Sequence, residues 1–210
     1  MACSAGFPAE KVRARNHRFY LKVLLSMPSR KSLIILLAFL FAAALPASAQ
    51  ATKTIRGPGY RSHVPSGWKV KSTKENAGWR VVRVTPPGRA TKGRNSSTVV
   101  IGTVPIRTLE KAAGQTLPAS DIELAKQLAA VPRTAQGIQP TLNPQPSVLA
   151  GDVGGIVGYH YVADGIGTTQ TATVVRRHGR VYLLQVVSDD SVSFIGTSAV
   201  GLVRANWRWR

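Results

Sequence analysis

Cysteine is almost missing from this chain: Cys3 is the only one in 210 residues. A disulfide framework within the chain is therefore excluded, and because Cys3 lies in a segment read below as removed, the working protein has neither a thiol nucleophile nor a thiolate metal ligand. Acidic residues are scarce as well, 9 Asp and Glu against 28 Lys and Arg, for a formal net charge of +19. The longest uncharged apolar run, residues 33–45, falls short of the ~20 residues that cross a bilayer core. Also absent are the Gly-x-Ser-x-Gly elbow, a phosphate loop ending in Gly-Lys-Ser or Gly-Lys-Thr, and His-Glu-x-x-His, so the sequence carries none of these ready-made catalytic signatures.

What is present first is an export signature. Ser29-Arg30-Lys31-Ser32 supplies a short positive region, residues 33–45 the apolar run, and Ala47-Ser48-Ala49 the small residues of a cleavage site. A Sec-type signal peptide is expected over residues 27–49, beginning at Met27 and cut before Gln50, which places the product in the periplasm or outside the cell. The alternative is an uncleaved inner-membrane anchor over residues 33–45, against which Pro46 and the small residues after it argue. Residues 1–26 carry Lys11, Arg13, Arg15, Arg18 and Lys22 and read as an upstream extension from a start codon set too early. The rival reading is a basic arm whose Phe19, Tyr20, Val23 and Leu24 touch a membrane. No cysteine stands at the cleavage point, which excludes a lipidated first residue.

Residues 50–210 amount to one domain, long enough to bury a core without staples. Seven basic residues and one acidic residue fall in 1–49, leaving 21 against 8 and a net charge of about +13 in the domain itself. Such a field favours polyanions: an anionic envelope polymer, a membrane surface or an acidic protein partner. Nucleic acid is disfavoured for an exported protein that lacks RNA-recognition aromatics.

Within the domain, residues 50–59 read as a flexible leader and order begins at Tyr60. Tyr60, Ser62 and Val64, then Trp68 and Val70 beyond Pro65-Ser66-Gly67, suggest a short entry hairpin with Trp68 as a core anchor. Residues 79–84 and 97–106 form strands expected to pair across a loop carrying Arg89, Lys92 and Arg94. Ser120-Asp121-Ile122-Glu123 has capping-box spacing and starts a helix with an apolar stripe from Ile122 to Val131. Four prolines between Pro132 and Pro146 predict a loop. A β region over 148–162 is interrupted by Gly151, Gly154, Gly155 and Gly158, the mark of bulges or of another element packed tightly on the strand, and Asp164-Gly165 closes it. The clearest hairpin runs from Thr168 to Ser188 with His178-Gly179 at its apex. Asp189-Asp190 is read as the cap of a last helix with Val192, Ile195, Ala199, Leu202 and Val203 on its stripe, weakened by Gly196 and Gly201.

The fold class this implies is α+β, a single domain over residues 60–210. Tyr60 with Val64-Pro65-Ser66-Gly67-Trp68, the hairpin from Thr171 to Val187, and the segment from Ser198 to Trp207 give it an element order that resembles the PsbP-like family. That family's fold, shared with the Ran-binding Mog proteins, is a central antiparallel sheet with helices packed on its faces. The resemblance implies a non-enzymatic accessory or binding domain that docks to larger complexes. No residue set for photosystem or Ran binding is recognisable, so neither activity is carried over.

Chemistry-bearing residues are sparse. His63, His160 and His178 are scattered, and neither a metal site nor a cofactor site is expected. The glycine-rich stretch from Gly151 to Gly158 lacks a phosphate loop's lysine, and Asn95-Ser96-Ser97 matches a glycosylation sequon. Binding potential rests with Arg89, Lys92 and Arg94 and with the tail Trp207, Arg208, Trp209 and Arg210, where indole and guanidinium alternate as suits a membrane interface. Trp207 also has the simpler reading of a core residue. The expected function is an exported, non-enzymatic binding domain for an anionic envelope component or an acidic protein. The alternative is a small exported hydrolase with a site assembled from the histidines and scattered Ser or Asp residues. N-terminal sequencing of the exported protein should return Gln50 as the first residue; a product that retains residues 33–45 contradicts cleavage.

Overall fold

The computed structural model describes residues 51–87, 96–129 and 131–210. Residues 1–50, which include the expected signal peptide and the extension before it, the loop residues Arg89, Lys92 and Arg94, and Asn95 of the sequon lie outside the described residues. Residues 50–210 make one unit distinct from residues 1–49. Among the described residues no helix is long and apolar enough to cross a membrane.

Chain order is β1 (Thr52–Gly57), β2 (Tyr60–Pro65), β3 (Lys69–Lys74), β4 (Arg80–Thr85), β5 (Ser97–Pro105), α1 (Ile106–Ala113), α2 (Asp121–Leu128), β6 (Gln136–Leu149), β7 (Asp152–Ala163), β8 (Ile166–Arg177), β9 (Arg180–Asp189), α3 (Ser193–Ala205) and β10 (Arg208–Trp209). Seven strands form an antiparallel sheet in the order β3-β4-β5-β9-β8-β7-β6, and β1-β2-β10 form a second, small antiparallel sheet.

The β8–β9 hairpin is the centre of the large sheet. His178 and Gly179 take φ of 47° and 70°, the positive pair that a two-residue primed turn requires. Val174, Val175 and the whole run from Val181 to Leu184 are buried, so both faces of this hairpin are covered. One face carries α1 and α2, whose Leu109, Leu124, Ala125 and Ala129 pack with Val157, Val174 and Val181. Ser120 caps α2 as expected, accepting from the Ile122 amide at 3.1 Å, but Glu123 pairs with Lys126 instead of reaching back to the cap. A Cβ on Gly155 would stand 2.3 Å from the Asp121 carbonyl, so the strand glycine lets the first turn of α2 lie directly on β7.

The other face carries α3 and the small sheet, with Ile55, Tyr60, Val64, Val203 and Trp207 packed over Val84, Val99, Ile101, Tyr182 and Leu184. Gly196 in α3 has the same role as Gly155: a Cβ there would be 2.3 Å from Ser188 Oγ. Ser62 on β2 donates to the Val203 carbonyl at 2.6 Å, satisfying one of the last-turn carbonyls that α3 leaves without an intrahelical partner.

Three expectations need correction, and one helix adds to the expected elements. The presumed leader, residues 50–59, contains β1, which pairs with β2 over its full length and buries Ile55. The entry hairpin does not form: β2 pairs with β1 and β10, and the turn from Pro65 to Trp68 passes the chain to the other sheet, where β3 pairs with β4. The proline-rich loop is β6, the edge strand next to β7. An edge needs only one ladder, and three register shifts along β6 absorb the missing amide donors. Helix α1 went unread because it follows β5 without a break; its signal is Gly114, which ends it at φ 68° behind Lys111. The pairing of β4 with β5 and the Thr168 to Ser188 hairpin stand as expected.

Trp207→Ala should remove about 3–5 kcal/mol of stability, and Ser62→Ala about 1–3 kcal/mol by leaving the Val203 carbonyl buried and unpaired. Urea unfolding followed by circular dichroism measures both; a Trp207 variant as stable as the parent contradicts this packing.

Candidate functional site

The C-terminal tail is not a free arm. Arg208 pairs with Arg61 and Trp209 with Tyr60, and the Arg210 amide continues the ladder to the Gly59 carbonyl at 3.0 Å. Trp207 is wholly buried and stacks on Tyr60 with ring centroids 4.4 Å apart and an interplanar angle of 11°. It is core, and it leaves the set of candidate binding residues. Trp209 points inward with Tyr60, edge-on to Tyr182 at 4.8 Å and to Trp207 at 5.4 Å, with the Arg177 guanidinium over its ring at 5.1 Å. Burial raises the Tyr60 phenol well above its ordinary value and the neighbouring Tyr182 adds to the rise, so this aromatic cluster stays neutral. The membrane-interface reading of the tail needed exposed indoles, which these positions do not supply.

The arginines have the opposite fate. Directly paired residues of antiparallel strands share a face, and Arg56 pairs with Arg61 while Arg61 pairs with Arg208. Three arginines therefore stand in a row across the outer face of the small sheet, one per strand, their backbones at the strand spacing of about 4.8 Å, with the Arg208 guanidinium also donating to the Trp207 carbonyl at 2.8 Å. Arg210 extends the same face two residues further along β10. All four are exposed. The remaining outer positions are Thr52, Thr54, His63 and Pro65, and no acidic residue occurs between Gln50 and Lys74.

Carboxylates are occupied elsewhere. Glu75 pairs with Arg83, Asp121 with Arg176, Asp152 with Arg177 and Glu123 with Lys126. Asp189 and Asp190 do not cap α3. Asp189 accepts from the Ser96 amide at 2.6 Å, and Asp190 receives His160 Nε2 at 2.9 Å and Thr169 Oγ1 at 3.2 Å. Arg56, Arg61, Arg208 and Arg210 have no acidic partner among the described residues.

The His160, Asp190 and Thr169 cluster is the nearest approach to catalytic geometry. Its hydroxyl bonds the carboxylate and not the imidazole, so it lacks the nucleophile-to-base contact of a triad. His160 and Thr169 are cross-strand partners on β7 and β8, and the carboxylate ties both to the segment that leads into α3. His63 meets Thr52 Oγ1 at 3.3 Å, and His178 occupies its turn. None of the three lines either of the clefts on this domain that border Arg80 and Arg176. Among the described residues, no three His, Cys, Asp or Glu side chains gather as a metal site would need.

The seven-stranded antiparallel sheet overlaid by α3 on one face and by two helices on the other has a counterpart among solved structures. Cyanobacterial PsbP (CyanoP) from Synechocystis superimposes with a TM-score of 0.54 at 14% identity, over 79% of this chain and 96% of that one. The fold is PsbP-like. LpqN of Mycobacterium tuberculosis, involved in cell envelope biogenesis, gives a TM-score of 0.48 at 16% identity over 76% of this chain and 90% of its own. A protein of unknown function from Pseudomonas aeruginosa gives 0.40 at 11% over 70% and 90%. Neither of these two adds weight to the fold. No protein-family model and no curated protein sequence matches the chain.

The outer arginine row is set by the pairing of β1, β2 and β10. Like charges directly opposite each other destabilise a strand pair by roughly 0.2–1 kcal/mol. Arg61→Thr, at the centre of the row, should therefore stabilise the protein by about that amount at low ionic strength, and the gain should shrink in 1 M salt. Thermal melts at two salt concentrations test this; a loss of stability at low salt contradicts unrelieved repulsion.

Proposed function

We propose that the PsbP-like domain is an exported, non-enzymatic binding module that docks to an anionic polymer of the cell envelope. The carrying observation is the row Arg56, Arg61 and Arg208, with Arg210 beside it, on a flat sheet face without a carboxylate. Repulsion within the row disappears when a chain of phosphates or carboxylates lies across it, each charge meeting a guanidinium at strand spacing. A polymer is favoured over insertion into a bilayer because the outer face presents Arg, Thr and His with no large apolar side chain, Pro65 closing its end, while Trp207 and Trp209 turn inward. Arg89, Lys92 and Arg94 add to the same field and serve as a second, auxiliary contact. Export rests on the signal sequence over residues 27–49, which delivers the domain to the compartment where such polymers are found.

Binding of the purified protein to linear polyphosphate should weaken steeply with salt. The triple variant R61S/R208S/R210S should lose roughly tenfold in affinity, three exposed ion contacts at about 0.5 kcal/mol each. Equal binding by the triple variant removes the row from the function. Preference for an acidic protein domain over every polyanion of matched charge would redirect the proposal to a protein partner.

A further inference from the structure

A second basic feature borders the outer row and shares Arg56 with it at the rim. A solvent-open cleft of ≈ 490 Å³ runs between the β1–β2 turn and the β3–β4 edge of the large sheet, lined among others by Arg56, Tyr60, Ser72, Lys74, Arg80 and Val82. Lys74 and Arg80 are direct cross-strand partners, so two cations face each other on the cleft side of the sheet. No carboxylate lines it. The nearest acid in sequence, Glu75, is taken by Arg83, whose side chain alternates to the opposite face from Arg80. Lys74, Arg80 and Arg56 have no hydrogen-bond or ion-pair partner among the described residues. The smaller cleft at the start of α2 is different: its Arg176 is held by Asp121 and by the Ala119 carbonyl at 2.7 Å, and so is already satisfied.

The walls select a type of ligand. Pro58 offers apolar surface at the mouth, with the buried Tyr60 and Val82 behind it, Ser72 adds a hydroxyl donor, and the volume falls within the few hundred Å³ usual for a small-molecule pocket. The facing cations Lys74 and Arg80 match a dianion better than a single carboxylate, which would leave one of them bare. We propose that this cleft binds a phosphomonoester with an apolar body, the phosphate held by the facing pair Lys74 and Arg80 and the alkyl or aryl part laid against Pro58 at the mouth of the cleft, which the buried Tyr60 and Val82 back. The ester is either a free small molecule or the headgroup of a membrane lipid. The outer row shares only Arg56 with the rim of this cleft, and Lys74 and Arg80 are no part of that row, so variants at these two positions test the inference apart from polymer binding.

Calorimetric titration with octyl phosphate, below its aggregation concentration, tests the proposal on the purified protein. Saturable one-to-one binding is expected, weakened roughly tenfold or more in K74Q/R80Q. It should be unchanged within about twofold in K69Q/K71Q, which removes the same charge from the opposite face of β3. Single variants K74Q and R80Q give the same reading should the double variant melt early, and polyphosphate binding by K74Q/R80Q reports on the outer row separately. Inorganic phosphate should bind more weakly than the octyl ester. Capture of the parent protein, but not of K74Q/R80Q, by vesicles containing phosphatidic acid assigns the lipid source, whereas octyl phosphate binding without vesicle capture assigns the free ester. Absence of saturable binding, equal loss in both double variants, or inorganic phosphate as tight as the octyl ester overturns the proposal.

Discussion

The stacking of Tyr60 on Trp207 is the contact on which the rest of the arrangement depends. It joins two segments almost 150 residues apart in sequence and makes β1, β2 and β10 into one sheet pressed on the larger one. Tyr182 meets both rings edge-on from the large sheet, at 6.3 and 6.4 Å, and Trp209 closes the cluster. Because side chains alternate along a strand, fixing Tyr60 and Trp209 inward forces Arg61, Arg208 and Arg210 outward. The same stack sets Tyr60 as a wall of the cleft beside Lys74 and Arg80. A shift of one residue in the β2–β10 register would put guanidinium groups into the core and indoles into water.

Charge is segregated by a simple division of labour. The few carboxylates act as ties: Asp121 fastens α2 to β8 through Arg176, Asp152 holds Arg177 beside the hairpin tip, and Asp190 gathers β7 and β8 against the start of the last helical region. The cations left over concentrate on the β1–β4 side and on β10. A net charge that would be diffuse on an even surface thus becomes one flat row and one cleft. Exposed salt bridges add little to stability, about 0–1 kcal/mol each, so the distribution matters more for what the surface attracts than for how firmly it folds.

Local signals in the sequence proved legible where they were self-contained. His178-Gly179 between two alternating runs specified its hairpin and turn, Ser120 specified a helix start, and Gly155 marked a close approach whose partner turned out to be α2. The small sheet was illegible because its strands pair across the length of the domain: β1 has few apolar residues, Ile55 being its single buried side chain, and β10 is only two residues long. β6 was hidden by Pro140, Pro144 and Pro146, which break a central strand but sit acceptably on an edge with bulges. The arginine row was the most hidden feature of all, since Arg56, Arg61 and Arg208 become neighbours only through that non-local pairing. Of the tail residues Trp207, Arg208, Trp209 and Arg210, the two indoles turn into the core and the two arginines stay exposed.

Amide chemical-shift mapping of the protein with linear polyphosphate tests the central claim most directly, because it reports which face meets the polyanion. The account predicts that shifts gather on Arg56, Arg61, His63, Arg208 and Arg210, with small effects on α1, α2 and β7. Shifts centred on the α1 and α2 face, or spread evenly over all exposed cations, would contradict it.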